Sequence, residues 1–121
     1  MIEVKAYPDR QRLDIIADGA LGPGDFRQII ELLRIEAANL EPGWAAAVDF
    51  RGVRSDDPYL NEQIELLQEE LLKDGANKIG TLLDNQYVRM RLIQAGLSTH
   101  SNDITQRFAD KKEWEAYLDQ A

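Results

Sequence analysis

A short apolar run at residues 44–50 (WAAAVDF) is the feature of this 121-residue sequence that most constrains its fold. The turn residues Pro42 and Gly43 precede the run, and a polar stretch that begins at Arg51 follows it. A nearly continuous apolar run bounded by turn signals is typical of a strand that is covered on both faces of a sheet. We therefore predict a central strand at this position.

Four further segments have the patterns of strands. Residues 2–7 alternate apolar and polar side chains, and residues 13–17 resume an extended apolar pattern after the turn residues at 8–11. These two segments predict an antiparallel N-terminal hairpin. Residues 78–84 predict another buried strand, and residues 104–108 alternate as a short edge strand does.

Helical periodicity appears between and after these strands. Apolar residues recur at three- and four-residue spacing over residues 26–40, 60–71 and 88–93, and a final helix is predicted after the capping residue Asp110. The resulting order ββαβαβαβα predicts an α/β fold, namely a single mixed, mostly parallel five-stranded sheet with an N-terminal β-hairpin and about four helices. We expect one domain over residues 1–121.

Composition argues against several classes of function. The 22 acidic residues outnumber the 14 basic ones, giving a net charge of −8, whereas nucleic-acid binding requires clustered Lys and Arg. The chain has no Cys, which removes thiol nucleophiles, thiolate zinc sites and disulfides. It has no apolar run of bilayer length and no signal-peptide pattern. We expect a cytoplasmic protein that neither binds nucleic acid nor crosses a membrane.

Asp49 and Asp84 are the strongest candidates for metal or acid–base chemistry. Each ends a predicted strand, and open α/β folds place ligands at the carboxyl ends of parallel strands. No phosphate-binding loop or third ligand accompanies them, and pairing of Asp49 with Arg51 or Lys78 is the simpler interpretation. The single His100 lies in a polar loop without a nucleophile elbow. We therefore predict no catalytic residue, metal or cofactor, and a protein that is not an enzyme.

The loop after the central strand is the most chemically varied segment of the chain. Residues 51–59 combine a glycine, two guanidinium groups, carboxylates and an aromatic ring, which suits recognition of polar groups on a partner. The predicted partner-binding residues are Arg51, Arg54, Ser55, Asp56, Asp57 and Tyr59. The helix that follows bears the acidic residues Glu62, Glu65, Glu69 and Glu70, which we interpret as a solvated face.

The element order and several local sequence words resemble the STAS domain, and more closely its SpoIIAA-like branch of small stand-alone bacterial proteins. The words are GDF at residues 24–26, VDFRGV at 48–53, GTLLDN at 80–85 and RFAD at 107–110, followed by Trp114 and Leu118. The similarity spans nearly the whole chain. It implies a SpoIIAA-like fold and a non-enzymatic regulatory or interaction domain that binds a protein partner through the loop after the central strand.

In sporulation-type STAS proteins that loop carries an aspartate followed by a serine that a partner kinase phosphorylates. Asp57 stands at the aspartate position, but Pro58 stands at the serine position and has no hydroxyl group to modify; Ser55 is out of register. The resemblance therefore implies partner binding without the phosphorylatable serine. A second copy of the chain is a further candidate partner, because an edge strand can support a homodimer.

The SpoIIAA-like branch has also been linked to the binding of lipids and other apolar ligands. This link gives an alternative function, a carrier or sensor of a lipid-like small ligand. The predicted pocket lies beneath the second or third helix, and its lining residues are Leu60, Ile64, Leu67 and Val88. A large interior cavity would favour this alternative, whereas a packed interior would favour partner binding.

Overall fold

The computed structural model describes residues 1–53, 60–83 and 105–120, which form five strands and three α-helices. The strands are β1 (Ile2–Tyr7), β2 (Arg12–Gly19), β3 (Trp44–Val53), β4 (Ala76–Leu82) and β5 (Thr105–Phe108). The helices are α1 (Pro23–Ala37), α2 (Leu60–Lys73) and α3 (Lys111–Leu118), and a short 3-10 turn (Pro8–Arg10) joins β1 to β2. The predicted helix over residues 85–96 lies outside the described residues, so these contain three of the four helices expected.

The five strands form one mixed sheet in the order β1-β2-β3-β4-β5. The pair β1–β2 is antiparallel, and the other three pairs are parallel. This topology confirms the predicted N-terminal hairpin and the mostly parallel sheet, and it places the apolar run of β3 at the centre. The strand continues to Val53, beyond its predicted end, because Asp18 and Gly19 of β2 extend the parallel ladder alongside Gly52 and Val53.

Helices α1 and α2 pack together on one face of the sheet and enclose the larger hydrophobic core. Successive right-handed crossovers that move in one direction along a sheet leave their helices on the same face. Helix α1 begins at Pro23 and buries the predicted apolar stripe of Phe26, Ile29, Leu33 and Ala37. Leu67 and Leu71 of α2 are buried in the same core.

Helix α3 covers part of the opposite face. Trp114 and Leu118 pack there against Ala47 and Leu82, and the Trp114 indole donates a 2.8 Å hydrogen bond to the Gly80 carbonyl. Gly80 is needed at this contact, because a Cβ atom there would lie 3.1 Å from Leu118. Helix α3 confirms the final helix that the sequence predicts after Asp110, and Trp114 and Leu118 dock it on the sheet.

The cap of α3 follows the sequence prediction, and the end of α2 is followed by a glycine in a left-handed conformation. The Asp110 carboxylate accepts hydrogen bonds from the backbone N–H groups of Lys112 and Glu113, which caps α3. Gly75 follows α2 with a φ of 112°, in the left-handed region that glycine tolerates best. Among the helices of residues 1–53, 60–83 and 105–120, none is long and apolar enough to cross a membrane.

Candidate functional site

Asp49 and Arg51 form a fixed ion pair near the carboxyl ends of β2 and β3. Residues two apart on a strand point to the same face of the sheet, which places the two side chains side by side. Arg51 Nε lies 3.0 Å from Asp49 Oδ1, and Arg51 Nη2 lies 2.8 Å from Asp49 Oδ2. The backbone N–H of Arg51 donates to the same Oδ1 at 3.2 Å. The carboxylate side chain is only 12% exposed, whereas the arginine side chain is 45% exposed.

Gly52 brings the end of β2 close to this ion pair. A Cβ atom at Gly52 would lie 2.7 Å from the Cβ atom of Asp18, so no larger residue fits without movement of the strands. The resulting open cavity of about 380 Å³, which we call the carboxyl-edge cleft, is lined by Ile16, Ala17, Asp18, Asp49, Arg51 and Gly52. The cleft is therefore an open depression of mixed polarity that contains the Asp49–Arg51 ion pair.

The contacts of Asp49 bear on the metal hypothesis. Both of its carboxylate oxygens accept hydrogen bonds from Arg51, as the ion-pair interpretation predicts. Lys78, the other suggested partner, donates instead to the backbone carbonyls of Tyr117 and Gln120. Asp84 and His100 lie outside the described residues, and within 1–53, 60–83 and 105–120 no three His, Cys, Asp or Glu side chains converge.

Only part of the predicted partner-binding segment is described. Arg51 lies in the carboxyl-edge cleft, and its neighbours along the chain, Arg54, Ser55, Asp56, Asp57 and Tyr59, lie outside the described residues. The loop that contains them runs from the end of β3, at the cleft, to the start of α2. The predicted apolar pocket is described only at Leu67, which is buried in the main core. Leu60 and Ile64 belong to α2 without described side chains, and Val88 lies outside.

A second polar cluster links α1 to α2, and the sequence interpretation missed it. Glu70 is buried rather than solvated, and its Oε1 accepts a 2.8 Å hydrogen bond from Arg34 Nη2. The acidic-face prediction is thus wrong for Glu70. The reason is helical geometry, since Glu70 follows Leu67 by three residues and adjoins Leu71, and both leucines face the core.

Asp74 completes this cluster one turn beyond Glu70. Burial and a hydrogen bond with Glu70 raise the pKa of Asp74 to about 6, whereas the hydrogen bond from Arg34 lowers the pKa of Glu70. Glu70 Oε2 and Asp74 Oδ2 are buried and have no hydrogen-bond donor among the described residues. Two carboxyl groups can hydrogen-bond only if one is protonated, so we expect the pair to share a proton when the pH is below the raised pKa of Asp74.

The cluster lies in a groove between the two helices. The groove has a volume of about 480 Å³ and is lined by Arg27, Ile30, Glu31, Arg34, Leu66, Glu69, Glu70 and Lys73. Three of its side chains are cationic and three are anionic, so the groove has no single charge that would select one class of ligand. Spacing along the helices could have indicated that Glu70 faces inward, but the partner Arg34 is 36 residues away.

A third cluster is centred on a buried arginine. The Arg12 guanidinium donates to Asp14 at 2.6 Å and to Glu115 at 2.9 Å, and it lies 5.4 Å from the centre of the Trp114 ring. Burial acts to lower the pKa of Arg12, but the hydrogen bonds that its guanidinium donates to the two carboxylates outweigh this effect and raise the pKa. The cluster binds β2 to α3 and is structural. No local pattern predicts it, because Glu115 is 103 residues from Arg12.

Comparison with known proteins identifies the architecture. No family model matches the sequence, and no curated protein matches it. The chain is similar to a solved structure, an uncharacterized protein from the DUF3478 family with a SpoIIAA-like fold from Shewanella loihica PV-4. The two chains are 18% identical and superpose with a TM-score of 0.69 over 98% of this chain and 92% of the other. The chain therefore has a SpoIIAA-like fold, as its sequence resemblance implies.

Proposed function

We propose that this protein is a non-enzymatic regulatory domain that binds a protein partner at the carboxyl-edge cleft and the adjoining loop, residues 54–59. The observation that carries the proposal is the Arg51–Asp49 pair. A buried carboxylate holds the guanidinium in one orientation while almost half of the arginine side chain stays exposed. An arginine that is oriented before binding loses little conformational entropy when it meets a partner.

The position of the pair supports the same function. The carboxyl end of a parallel sheet is where open α/β folds bind ligands, and at this end Gly52 allows β2 and β3 to approach closely beside Asp18. The chain as a whole carries a net charge of −8, yet the cleft is lined by the cationic side chain of Arg51. We expect the partner to contribute a carboxylate or a backbone carbonyl group to Arg51.

The non-enzymatic part of the proposal is supported by what the Asp49 carboxylate already binds. Both of its oxygens are engaged by Arg51, so Asp49 is occupied in orienting another side chain. A carboxylate that serves as a general base or a metal ligand needs an oxygen available to the substrate or ion. Asp49 is better suited to positioning Arg51 than to chemistry.

The test is a comparison of bait proteins in a lysate of the source organism. Arg51→Glu is expected to lose a binding partner that the wild type retains, because it reverses the charge at the cleft. The control is Arg10→Glu, which reverses the charge of another partly exposed arginine at the opposite end of the sheet. The retained partner is then titrated with purified wild type and variants, and we expect at least a roughly tenfold weaker affinity for Arg51→Glu only.

Two outcomes would overturn the proposal. One is a partner that binds wild type, Arg51→Glu and Arg10→Glu equally, which would place the binding surface elsewhere. The other is native mass spectrometry of the purified protein that shows a lipid-like molecule bound at near one-to-one. That result would favour the carrier function and direct attention to Leu60, Ile64, Leu67 and Val88.

A further inference from the structure

Strand β1 is an edge strand with a defined pattern of outward hydrogen-bonding groups. Among the described residues it pairs with β2 on one side only. The Asp18 N–H donates to the Met1 carbonyl at 3.1 Å, so Met1 points its backbone groups towards β2. Because this direction alternates along an antiparallel pair, Glu3 and Lys5 also face β2, and the backbone groups of the even-numbered residues face outward.

Glu36 confirms this alternation and partly covers the edge. The Ala6 N–H points away from β2 and donates a 2.9 Å hydrogen bond to Glu36 Oε1 of α1. Ile2 and Val4 have the same outward backbone orientation as Ala6. Their side chains pack against the core beneath α1. The uncovered part of the edge is therefore centred on Val4, and Glu36 limits it at one end.

The exposed side chains of β1 are complementary to those of a second β1. Glu3 and Lys5 are both exposed and lie at equal distances along the chain from Val4. In an antiparallel pair of identical strands centred on Val4, residue 3 of one copy stands opposite residue 5 of the other. Two-fold symmetry then gives two Glu3–Lys5 ion pairs, one on each side of Val4.

An apolar side chain next to the edge points to the same partner. Glu36 shows that one side of α1 lies beside the β1 edge, and Leu32, one turn before Glu36, belongs to that side. Leu32 is half-buried in this structure. If two β1 strands pair, the two α1 helices lie on the same face of the continuous sheet, one on each side of the two-fold axis. The side of α1 that lies beside the β1 edge then faces the same side of α1 in the other copy.

We propose that β1 binds β1 of a second copy in antiparallel orientation, centred on Val4, to form a continuous ten-stranded sheet. The two Val4 residues exchange N–H···O=C bonds, and each Ile2 N–H donates to the carbonyl of Ala6 in the other copy. The Ala6 N–H already donates to Glu36. Glu36 therefore competes with the Ile2 carbonyl of the other copy for this N–H at each end of the strand pair. This self-association uses a surface different from the carboxyl-edge cleft.

The first experiment tests the register with charge exchange. Sedimentation equilibrium of the full chain is expected to show a monomer–dimer equilibrium. Glu3→Lys and Lys5→Glu should each raise the dimer dissociation constant by roughly tenfold, because each creates two like-charge pairs. The double variant Glu3→Lys/Lys5→Glu should restore the wild-type value to within about threefold. Glu31→Lys, an exposed change on the other side of α1, is the control and should have no effect.

The second experiment locates the contact residue by residue. Hydrogen exchange is measured by NMR at low and high protein concentration. The N–H groups of Ile2 and Val4 should become protected only at high concentration, whereas those of Glu3 and Lys5 should be protected at both. Glu36→Ala should tighten the dimer several-fold because it releases the Ala6 N–H.

Three results would overturn the proposal. The first is a chain that is monomeric at every concentration. The second is a dimer whose dissociation constant is changed equally by the single and the double charge variants. The third is a hydrogen-exchange rate at the Val4 N–H that does not depend on protein concentration. The proposal would also be wrong if the chain stayed monomeric and a different protein slowed hydrogen exchange at the Ile2 and Val4 N–H groups. The β1 edge would then bind a strand of that protein. None of these results bears on Arg51, so failure here is distinguishable from failure of partner binding at the cleft.

Discussion

The indole Nε1 of Trp44 donates a 3.0 Å hydrogen bond to the backbone carbonyl of Asp74, where α2 has just ended. The contact ties the first residue of the central strand to the turn that leads into β4. Gly75 lies against the same ring, since a Cβ atom there would be 3.2 Å from Trp44 Nε1. The side chain of Trp44, at the start of the central strand, thus stabilises the end of α2.

Trp44→Phe should destabilise the protein by about 2–4 kcal/mol, as judged from the free energy of unfolding in urea. The change removes the only N–H of a fully buried side chain, leaves the Asp74 carbonyl without this donor and opens a small cavity. Circular dichroism provides the unfolding signal, because the substitution also alters tryptophan fluorescence. A loss below about 1 kcal/mol would show that the hydrogen bond and the ring packing contribute little.

Asp74→Asn should stabilise the protein at pH 8 and have less effect at pH 5. The folded-state pKa of Asp74 is raised to about 6 from 3.8, so the folded state binds the proton more tightly than the unfolded state does. The contribution of Asp74 to stability is therefore present below pH 3.8 and is lost as the pH rises to about 6. Asparagine supplies an N–H donor to Glu70 at every pH, and we expect a gain of about 1 kcal/mol at pH 8.

The measurement for Asp74→Asn is urea unfolding of variant and wild type at both pH values. Asp9→Asn, a change at an exposed carboxylate on the turn between β1 and β2, controls for the loss of one negative charge. A gain of the same size at pH 5 and pH 8 would contradict the shared proton between Glu70 and Asp74.

Gly52→Ala should destabilise the fold by about 1–3 kcal/mol, because its Cβ atom would overlap the Cβ atom of Asp18 at 2.7 Å. The strain depends on that one neighbour, so Asp18→Gly should recover part of the loss in a double-mutant cycle. Asp18→Ala retains the Cβ atom and should recover none of it. Equal recovery by glycine and alanine would show that the Asp18 carboxylate, and not the close approach of β2 and β3, causes the strain.

Arg12→Met should cost about 2 kcal/mol of unfolding free energy, since it leaves Asp14 and Glu115 without their buried cationic partner. Arg10→Met is the matched control. Arg10 forms a 2.9 Å ion pair with Asp119, but both side chains are largely exposed, and such pairs contribute less than about 1 kcal/mol. Chemical denaturation that ranks the two variants in the opposite order would contradict a structural role for Arg12.

The sequence was most informative where the fold depends on local periodicity. The alternation in β1, the apolar run of β3, the stripe from Phe26 to Ala37 and the Asp110 cap each indicate an element within a few residues of its observed bounds. Each of these signals comes from residues that are close to each other in the sequence. The sequential strand order agrees with the tendency of consecutive strands to lie next to each other in a sheet.

Contacts between distant residues could not be predicted in the same way. Arg12 and Glu115, or Arg34 and Glu70, are charged residues whose sequence neighbours give no sign of a partner. Asp49 and Arg51 were predictable as a pair because they are two residues apart on one strand. The Gly52–Asp18 approach depends on the register between β2 and β3, which no local pattern specifies.

The strand order β1-β2-β3-β4-β5 has a consequence for how the chain assembles during synthesis. Each new strand joins the edge formed by the strand just before it, so the sheet can grow in the order in which residues leave the ribosome. Helix α3 departs from this order, because its Glu115 reaches back to Arg12 at the start of β2. The Arg12 cluster therefore forms only when α3 has been made. It then connects the N-terminal hairpin to α3, after the sheet is already complete.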